Sequence, residues 1–129
     1  MAGAKILIVE DNPVNLELAK DILENHGFDV LSAVNGLEAL QTVQNLLPDL
    51  ILMDLQLPGM SGLTVIETLK ADPATSHIPV VAVTAFAMST DENRARAAGC
   101  IGFITKPINT REFPRLVAEF LELNTQSAT

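Results

Sequence analysis

The sequence contains a single cysteine, Cys100, so no disulfide can form within the chain. It has no tryptophan, no tyrosine and five phenylalanines, and its hydrophobic fraction of 48% is therefore mostly aliphatic. No apolar run reaches the ~18 residues that a membrane span needs, and charges interrupt the start of the chain too early for a secretory signal. We therefore expect a soluble, cytoplasmic protein with an aliphatic core and no membrane partner.

Basic residues are also scarce in this chain. Eight lysines and arginines against 16 aspartates and glutamates give a formal charge of −8. A chain of this charge repels a phosphate backbone, so nucleic acid is not an expected partner. Most acidic residues lie singly in helical segments, where a solvated surface accounts for them. Three acidic residues depart from that pattern because they end or directly follow apolar runs: Glu10, Asp11 and Asp54.

Short β-rich runs alternate with segments of helical periodicity along the whole chain. The β-rich runs read KILIVE, DVLSA, DLILMD, PVVAVTA and GFITK. Because these runs are nearly continuously apolar, the sheet they form is expected to be covered on both faces, which indicates a doubly wound parallel α/β fold. The length of 129 residues suits one domain, predicted over residues 1–123 with a tail at 124–129.

Two of the predicted helices carry specific end signals. Asn12 and Pro13 suit the cap and first position of the first helix, and Gly27 suits its end. The last helix is predicted to begin at Asn109 and to run to residue 123. If Asn109 or Thr110 caps that helix, Pro114 occupies about its fourth or fifth position, where the missing N–H would permit a kink, so the start of this helix stays open.

Polar residues stand at the carboxyl ends of four predicted strands. They are Glu10 with Asp11, then Asp54, Thr84 and Lys106. Ligands of doubly wound sheets bind at this edge, near the point where the winding reverses. If the strand order is 2-1-3-4-5, the first and third strands are neighbours and Asp11 lies close to Asp54. Periodicity alone leaves that order open.

Neighbouring carboxylates repel each other, so either one of them holds a proton or a cation neutralises them. Oxygen ligands without cysteine or histidine favour a hard ion, and Mg²⁺ commonly combines one or two carboxylates with a phosphate. Lys106 and Thr84 are donors suited to phosphoryl oxygens. Asp54 would then be the nucleophile that forms an acyl phosphate.

The motifs KILIVEDNPVN, DLILMDLQLPGMSGL, IPVVAVTA and FITKPI resemble, in order and spacing, the receiver domain of bacterial two-component response regulators. The resemblance extends from Lys5 to about Leu123 and implies the flavodoxin-like (βα)5 fold with strand order 2-1-3-4-5. It implies that Asp54 accepts a phosphoryl group from a sensor histidine kinase or a histidine phosphotransfer protein. The chain would be a phosphoacceptor switch that assists its own phosphorylation and dephosphorylation, not an enzyme acting on a separate substrate.

The resemblance also implies a magnesium site. Its ligands would be Asp11, Asp54 and the backbone carbonyl of Gln56, with Glu10 contributing through a water molecule. Thr84 and Lys106 would bind the phosphoryl oxygens.

The resemblance further implies that Phe103 is the switch aromatic, although an aromatic residue in a strand is by default part of the core. Coupled movement of Thr84 and Phe103 would alter one surface. That surface comprises the helix near Asp91 to Ala98, the fifth strand and the last helix. We expect it to bind a downstream protein target.

Other function classes share this fold. A flavodoxin-like protein would bind FMN at the same edge, but the acidic EDNPVN segment lacks the small residues of a phosphate-binding loop. A phosphatase with an aspartate nucleophile would have a second aspartate where Gln56 stands. Within the receiver family, we interpret the chain as a single-domain response regulator, and the alternative is a receiver domain excised from a hybrid kinase or a longer regulator.

Overall fold

The computed structural model of the chain describes residues 3–85 and 89–127, without the side chains at 89–91 and 124–127. Strands and helices alternate through this part of the chain. The strands are β1 (Lys5–Val9), β2 (Asp29–Ala33), β3 (Leu50–Asp54), β4 (Val80–Thr84) and β5 (Gly102–Thr105). The helices are α1 (Pro13–Asn25), α2 (Gly36–Leu46), α3 (Gly62–Ala71), α4 (Ser89–Ala98) and α5 (Phe113–Ser127). Within the described ranges, no helix has the length and apolar character needed to cross a bilayer.

The strands form one parallel sheet in the order β2-β1-β3-β4-β5, which confirms the predicted fold class and strand order. In this register Val9 of β1 lies beside Met53 of β3, so the residues that follow or end these two strands meet at one edge. At the same edge, Thr84 of β4 is opposite Thr105 of β5. The carboxyl ends of β1, β3, β4 and β5 therefore converge, as the sequence predicts.

The sheet is buried on both faces. Successive residues of β3 alternate between two cores: Leu50 and Leu52 pack with α1 and α5, whereas Ile51 and Met53 pack with α2, α3 and α4. Every residue of β3 is buried. Burial of each such aliphatic side chain contributes about 1.5–3 kcal/mol. The sheet is thus a rigid platform for the polar residues at its edge.

Helix α1 begins and ends at the predicted signals. The Asn12 side chain accepts hydrogen bonds from the N–H groups of Val14, at 2.9 Å, and Asn15, at 3.2 Å. Pro13 occupies the first helical position, where no N–H partner is needed. Gly27, just after the helix, has a φ of 88°, which glycine adopts without steric cost. The local prediction for this helix is confirmed.

Helix α5 begins later than predicted. Asn109 belongs to a preceding turn, because its side chain accepts a hydrogen bond from the Glu112 N–H at 3.1 Å and its carbonyl accepts one from the Phe113 N–H at 2.9 Å. The helix itself begins at Phe113, so the predicted start at 109 is wrong. Pro114 consequently lies in the first turn, where its missing N–H costs little and gives no reason for a kink. The helix also continues to Ser127, past the predicted end at residue 123.

Candidate functional site

The structure brings the three predicted acidic residues together. Glu10, Asp11 and Asp54 each place a carboxylate oxygen within 4.8 Å of the others. Glu10 and Asp54 are buried, with exposed fractions of 5% and 4%, whereas Asp11 is exposed. A compact set of carboxylate oxygens, one of them open to solvent, fits a hard divalent cation such as Mg²⁺.

Lys106 bridges the two buried carboxylates of this cluster. Its Nζ donates to Glu10 Oε1 at 2.6 Å and to Asp54 Oδ2 at 2.9 Å. The backbone N–H of Lys106 donates to the Thr84 carbonyl at 2.9 Å, which continues the pairing of β4 with β5 beyond the last strand residue. The lysine is therefore held at the strand end by its backbone and aimed at the carboxylates by its side chain.

The electrostatics of the cluster favour a charged lysine. Burial disfavours the Lys106 ammonium, but its hydrogen bonds to Glu10 and Asp54, together with their negative charges, outweigh burial and raise its pKa above the ordinary value. Lys106 is thus cationic at neutral pH. The ammonium binds two of the three carboxylates, so the cluster keeps negative charge for a metal ion to neutralise.

The remaining carboxylate oxygens of the buried pair are also hydrogen-bonded. Asp54 Oδ1 accepts from the Gln56 N–H at 2.8 Å, which fixes the main chain of Gln56 beside the acid. Glu10 Oε2 accepts from the Asn12 N–H at 3.1 Å. Both oxygens of Glu10 therefore have protein partners, whereas Asp11 is the carboxylate of the three that faces solvent.

Thr84 and Phe103 lie on the same face of the sheet, but Phe103 lies two residues further from the carboxyl ends of the strands. Thr84 is buried at the end of β4, while Phe103 is half-buried beside Ala82, two residues earlier on β4. The Arg96 guanidinium of α4 lies 5.1 Å from the centroid of the Phe103 ring, within cation–π range. Sequence reasoning missed Arg96, because an arginine in a polar helix carries no signal of a contact with another element.

Gly62 brings helix α3 unusually close to the acidic strand end. A Cβ atom at this position would overlap the Asp54 carbonyl oxygen and lie 2.8 Å from Leu55 Cα. The Gly62 N–H donates to the Leu55 carbonyl at 3.3 Å. In the sequence, Gly62 was notable only as the last residue of the PGMSG motif, which gave no reason for a glycine at this position. The structure gives the physical reason for it, which is close backbone approach.

The family profile described as response regulator receiver domain matches residues 6–118. The chain belongs to the response regulator receiver domain family. It is 48% identical to the polar-differentiation response regulator DivK of Brucella anthropi over 116 residues, which cover 90% of this chain and 94% of that protein.

Two solved receiver structures extend the comparison. A CheY-like receiver domain protein from Methanospirillum hungatei superposes with a TM-score of 0.90 at 28% identity, covering 98% of this chain and 99% of that one. The receiver domain of a sensor histidine kinase from Pseudomonas aeruginosa has a TM-score of 0.86 at 30% identity, covering 94% of this chain and 99% of that one. The latter structure contains a magnesium ion coordinated in its active site cleft. Family membership confirms the resemblance and places the chain among receivers, not among flavin binders or phosphatases.

Proposed function

We propose that this receiver domain accepts a phosphoryl group on Asp54 and transmits the event by protein binding. The observation that carries the proposal is the Lys106 ammonium, bound at once to Asp54 and Glu10 beside the exposed Asp11. This arrangement combines a carboxylate nucleophile with a cationic donor. Both are requirements of phosphoryl transfer to an acid.

The proposed cofactor is Mg²⁺. Asp11, Asp54 and the backbone carbonyl of Gln56 would hold it directly, and Glu10 would do so through water. When bound, the ion supplies positive charge that offsets the carboxylates and the phosphoryl oxygens. The magnesium ion in the related Pseudomonas receiver supports this assignment.

In the proposed reaction, an oxygen of Asp54 forms a bond to phosphorus as the bond from phosphorus to the donor nitrogen breaks. The bonding pair of electrons leaves with that nitrogen. Lys106 releases Asp54 Oδ2 and donates to a phosphoryl oxygen, and the Thr84 hydroxyl donates to another. The same two donors would stabilise the later attack of water that regenerates the carboxylate. The chain would therefore assist both its phosphorylation and its dephosphorylation.

The proposed output depends on Thr84 and Phe103. A phosphoryl group at Asp54 adds charge and acceptor oxygens, toward which the Thr84 hydroxyl can turn. The Phe103 ring, half-buried next to Ala82, could then move inward and leave Arg96. The surface of α4, β5 and α5, which we name the output face, would change shape and bind a downstream protein.

The proposed upstream partner is a sensor histidine kinase or a histidine phosphotransfer protein, acting in the cytoplasm. The net charge of −8 disfavours nucleic acid as a partner. The curated relatives, named as response regulators, support a signalling role.

The proposal is tested by incubating the protein with radiolabelled acetyl phosphate and Mg²⁺ and locating the label by mass spectrometry. We expect one label per chain, at Asp54, and none in Asp54→Asn. Asp21→Asn, which alters an exposed aspartate of α1, serves as the matched control and should be labelled normally. A label on another residue would contradict the assignment of Asp54, and equal labelling in the presence of a chelator would contradict the role of Mg²⁺.

A further inference from the structure

Arg96 joins helix α4 to strand β5 through the ring of Phe103. The arginine lies in the last turn of α4 and is exposed. Its guanidinium carbon is 5.1 Å from the centroid of the Phe103 ring, inside the ~6 Å at which a cation is attracted to an aromatic face. Phe103 is half-buried and pairs with Ala82 of β4. The contact therefore links a surface cation to the aromatic residue of the proposed switch.

The arginine does not use the carboxylate that its helix offers. Glu92 lies four residues earlier on α4, and opposite charges at that spacing commonly pair. On α5, Arg115 and Glu119 form a pair of the same spacing, at 3.0 Å. Arg96, in contrast, forms no ion pair with any side chain that the structure describes. Its guanidinium lies instead over the Phe103 ring.

This contact depends on the position of the ring. Ala82, beside the ring on β4, is small and fully buried, and Thr84 is buried two residues further along the same strand. A ring that moves inward, toward the space beside Thr84, moves away from the surface residue Arg96. Beyond ~6 Å the attraction between cation and ring is largely lost. An interaction that is present in one of two states stabilises that state alone.

We propose that Arg96 holds the Phe103 ring in its resting position and thereby opposes the switch until Asp54 is phosphorylated. Arg96 is a positioning residue in this scheme, because it acts through the ring and is not a member of the acidic cluster. The inference rests on the proposed function, which supplies the coupling between Asp54 and Phe103. It adds the interaction against which the phosphoryl group must act.

The coupling between the two positions is reciprocal. If a phosphoryl group on Asp54 favours the inward ring, a change that favours the inward ring tightens binding of a phosphoryl mimic at Asp54 by the same factor. Loss of the Arg96 guanidinium should therefore tighten that binding. Simple electrostatics predicts the opposite, because removal of a positive charge weakens the attraction for an anion. The sign of the effect separates the two explanations.

Beryllofluoride with Mg²⁺ serves as the phosphoryl mimic, and its affinity is measured from the ¹⁹F signal of the bound ion. Arg96→Met removes the cation and keeps an unbranched side chain of similar helix propensity. Arg94→Met makes the same change at another exposed arginine of α4, on a different side of the helix, and is the matched control. Both changes are made in the unaltered chain and in Phe103→Leu. Exposed positions tolerate such changes without loss of the fold.

We expect Arg96→Met to bind beryllofluoride about two- to fivefold more tightly than the unaltered chain, as the strength of an exposed cation–π contact implies. The gain should disappear in the Phe103→Leu background, because the arginine acts through the ring. Arg94→Met should show no gain in either background.

Three results would overturn the inference and leave Asp54 as the acceptor: unchanged or weaker binding by Arg96→Met, a gain that persists in Phe103→Leu, or an equal gain in Arg94→Met. Failure of the unaltered chain to bind beryllofluoride in the presence of Mg²⁺ would instead overturn the proposed function, and this inference with it.

Discussion

Lys106 lies 2.9 Å from Asp54 Oδ2, although 52 residues separate them in the sequence. The lysine joins the end of β5 to the end of β3 and, through a second bond of 2.6 Å, to Glu10 after β1. Its side chain is 19% exposed, whereas those of Asp54 and Glu10 are 5% and 7% exposed. The ammonium therefore compensates two buried charges that have little access to water.

Replacement of this lysine should destabilise the metal-free protein. We expect Lys106→Met to lower the free energy of unfolding by about 2–3 kcal/mol, somewhat below the loss for a fully buried pair, because Asp54 and Glu10 would lack their counter-charge. Mg²⁺ should restore more stability to this variant than to the unaltered chain. Urea denaturation with and without Mg²⁺ measures both effects, and Lys20→Met on α1 is the control. Equal stabilisation by Mg²⁺ in the two proteins would contradict the idea that ion and lysine neutralise the same carboxylates.

Asp11 should matter for the metal and not for the fold. Asp11→Asn removes the exposed carboxylate of the cluster, so we expect Mg²⁺ affinity to fall about tenfold or more. The metal-free protein should be as stable as before or more stable, because one repulsive charge is lost. The chain has no tryptophan to report binding, so isothermal titration calorimetry is the suitable measurement. Unchanged affinity would exclude Asp11 as a ligand.

The proposed switch can be tested without a partner protein. With ¹⁹F-labelled phenylalanine, the Phe103 signal, assigned with Phe103→Leu, should shift when beryllofluoride mimics the phosphoryl group. In Thr84→Ala we expect most of that shift to disappear, because the hydroxyl that links the acid to the ring is gone. Thr68→Ala, on the exposed side of α3, should behave like the unaltered chain. A full shift in Thr84→Ala would show that the ring responds by another route.

Cys100 should be an inert thiol at neutral pH. Burial raises its pKa to about 11, so the unfolded chain loses the thiol proton at lower pH than the folded chain does. Base therefore favours unfolding, and between pH 8 and pH 10 the thiol should account for about 1.5 kcal/mol of lost stability. Cys100→Ala should show a correspondingly smaller loss in urea titrations over this range. Parallel pH profiles for the two proteins would be inconsistent with a buried neutral thiol.

Much of the fold was determined by local sequence patterns. The apolar runs specified strands covered on both faces, because a run with no polar alternation can be satisfied only by a sheet between two layers. Asn12, Pro13 and Gly27 specified both ends of α1, since each acts on backbone groups within a few residues of itself. The apolar runs also predicted which polar residues lie at strand ends, because the end of a run is a local feature of the sequence. These residues are Glu10, Asp11, Asp54, Thr84 and Lys106.

Other features depended on contacts between distant elements. Because a turn at Asn109 precedes α5, the helix begins at Phe113 and Pro114 lies in its first turn. The local cap signals in the sequence did not distinguish that turn from the start of the helix. Gly62 is required by the backbone of β3, and Arg96 reaches Phe103 from another element.

The bonds of Lys106 are the clearest case, since the partner Glu10 is 96 residues away. Sequence indicates which residues are polar and where each strand stops, because those properties depend on neighbours along the chain. The distances between strand ends depend on how the sheet packs. Those distances determine which carboxylate oxygens accept hydrogen bonds from the Lys106 ammonium. Only the tertiary structure decides them.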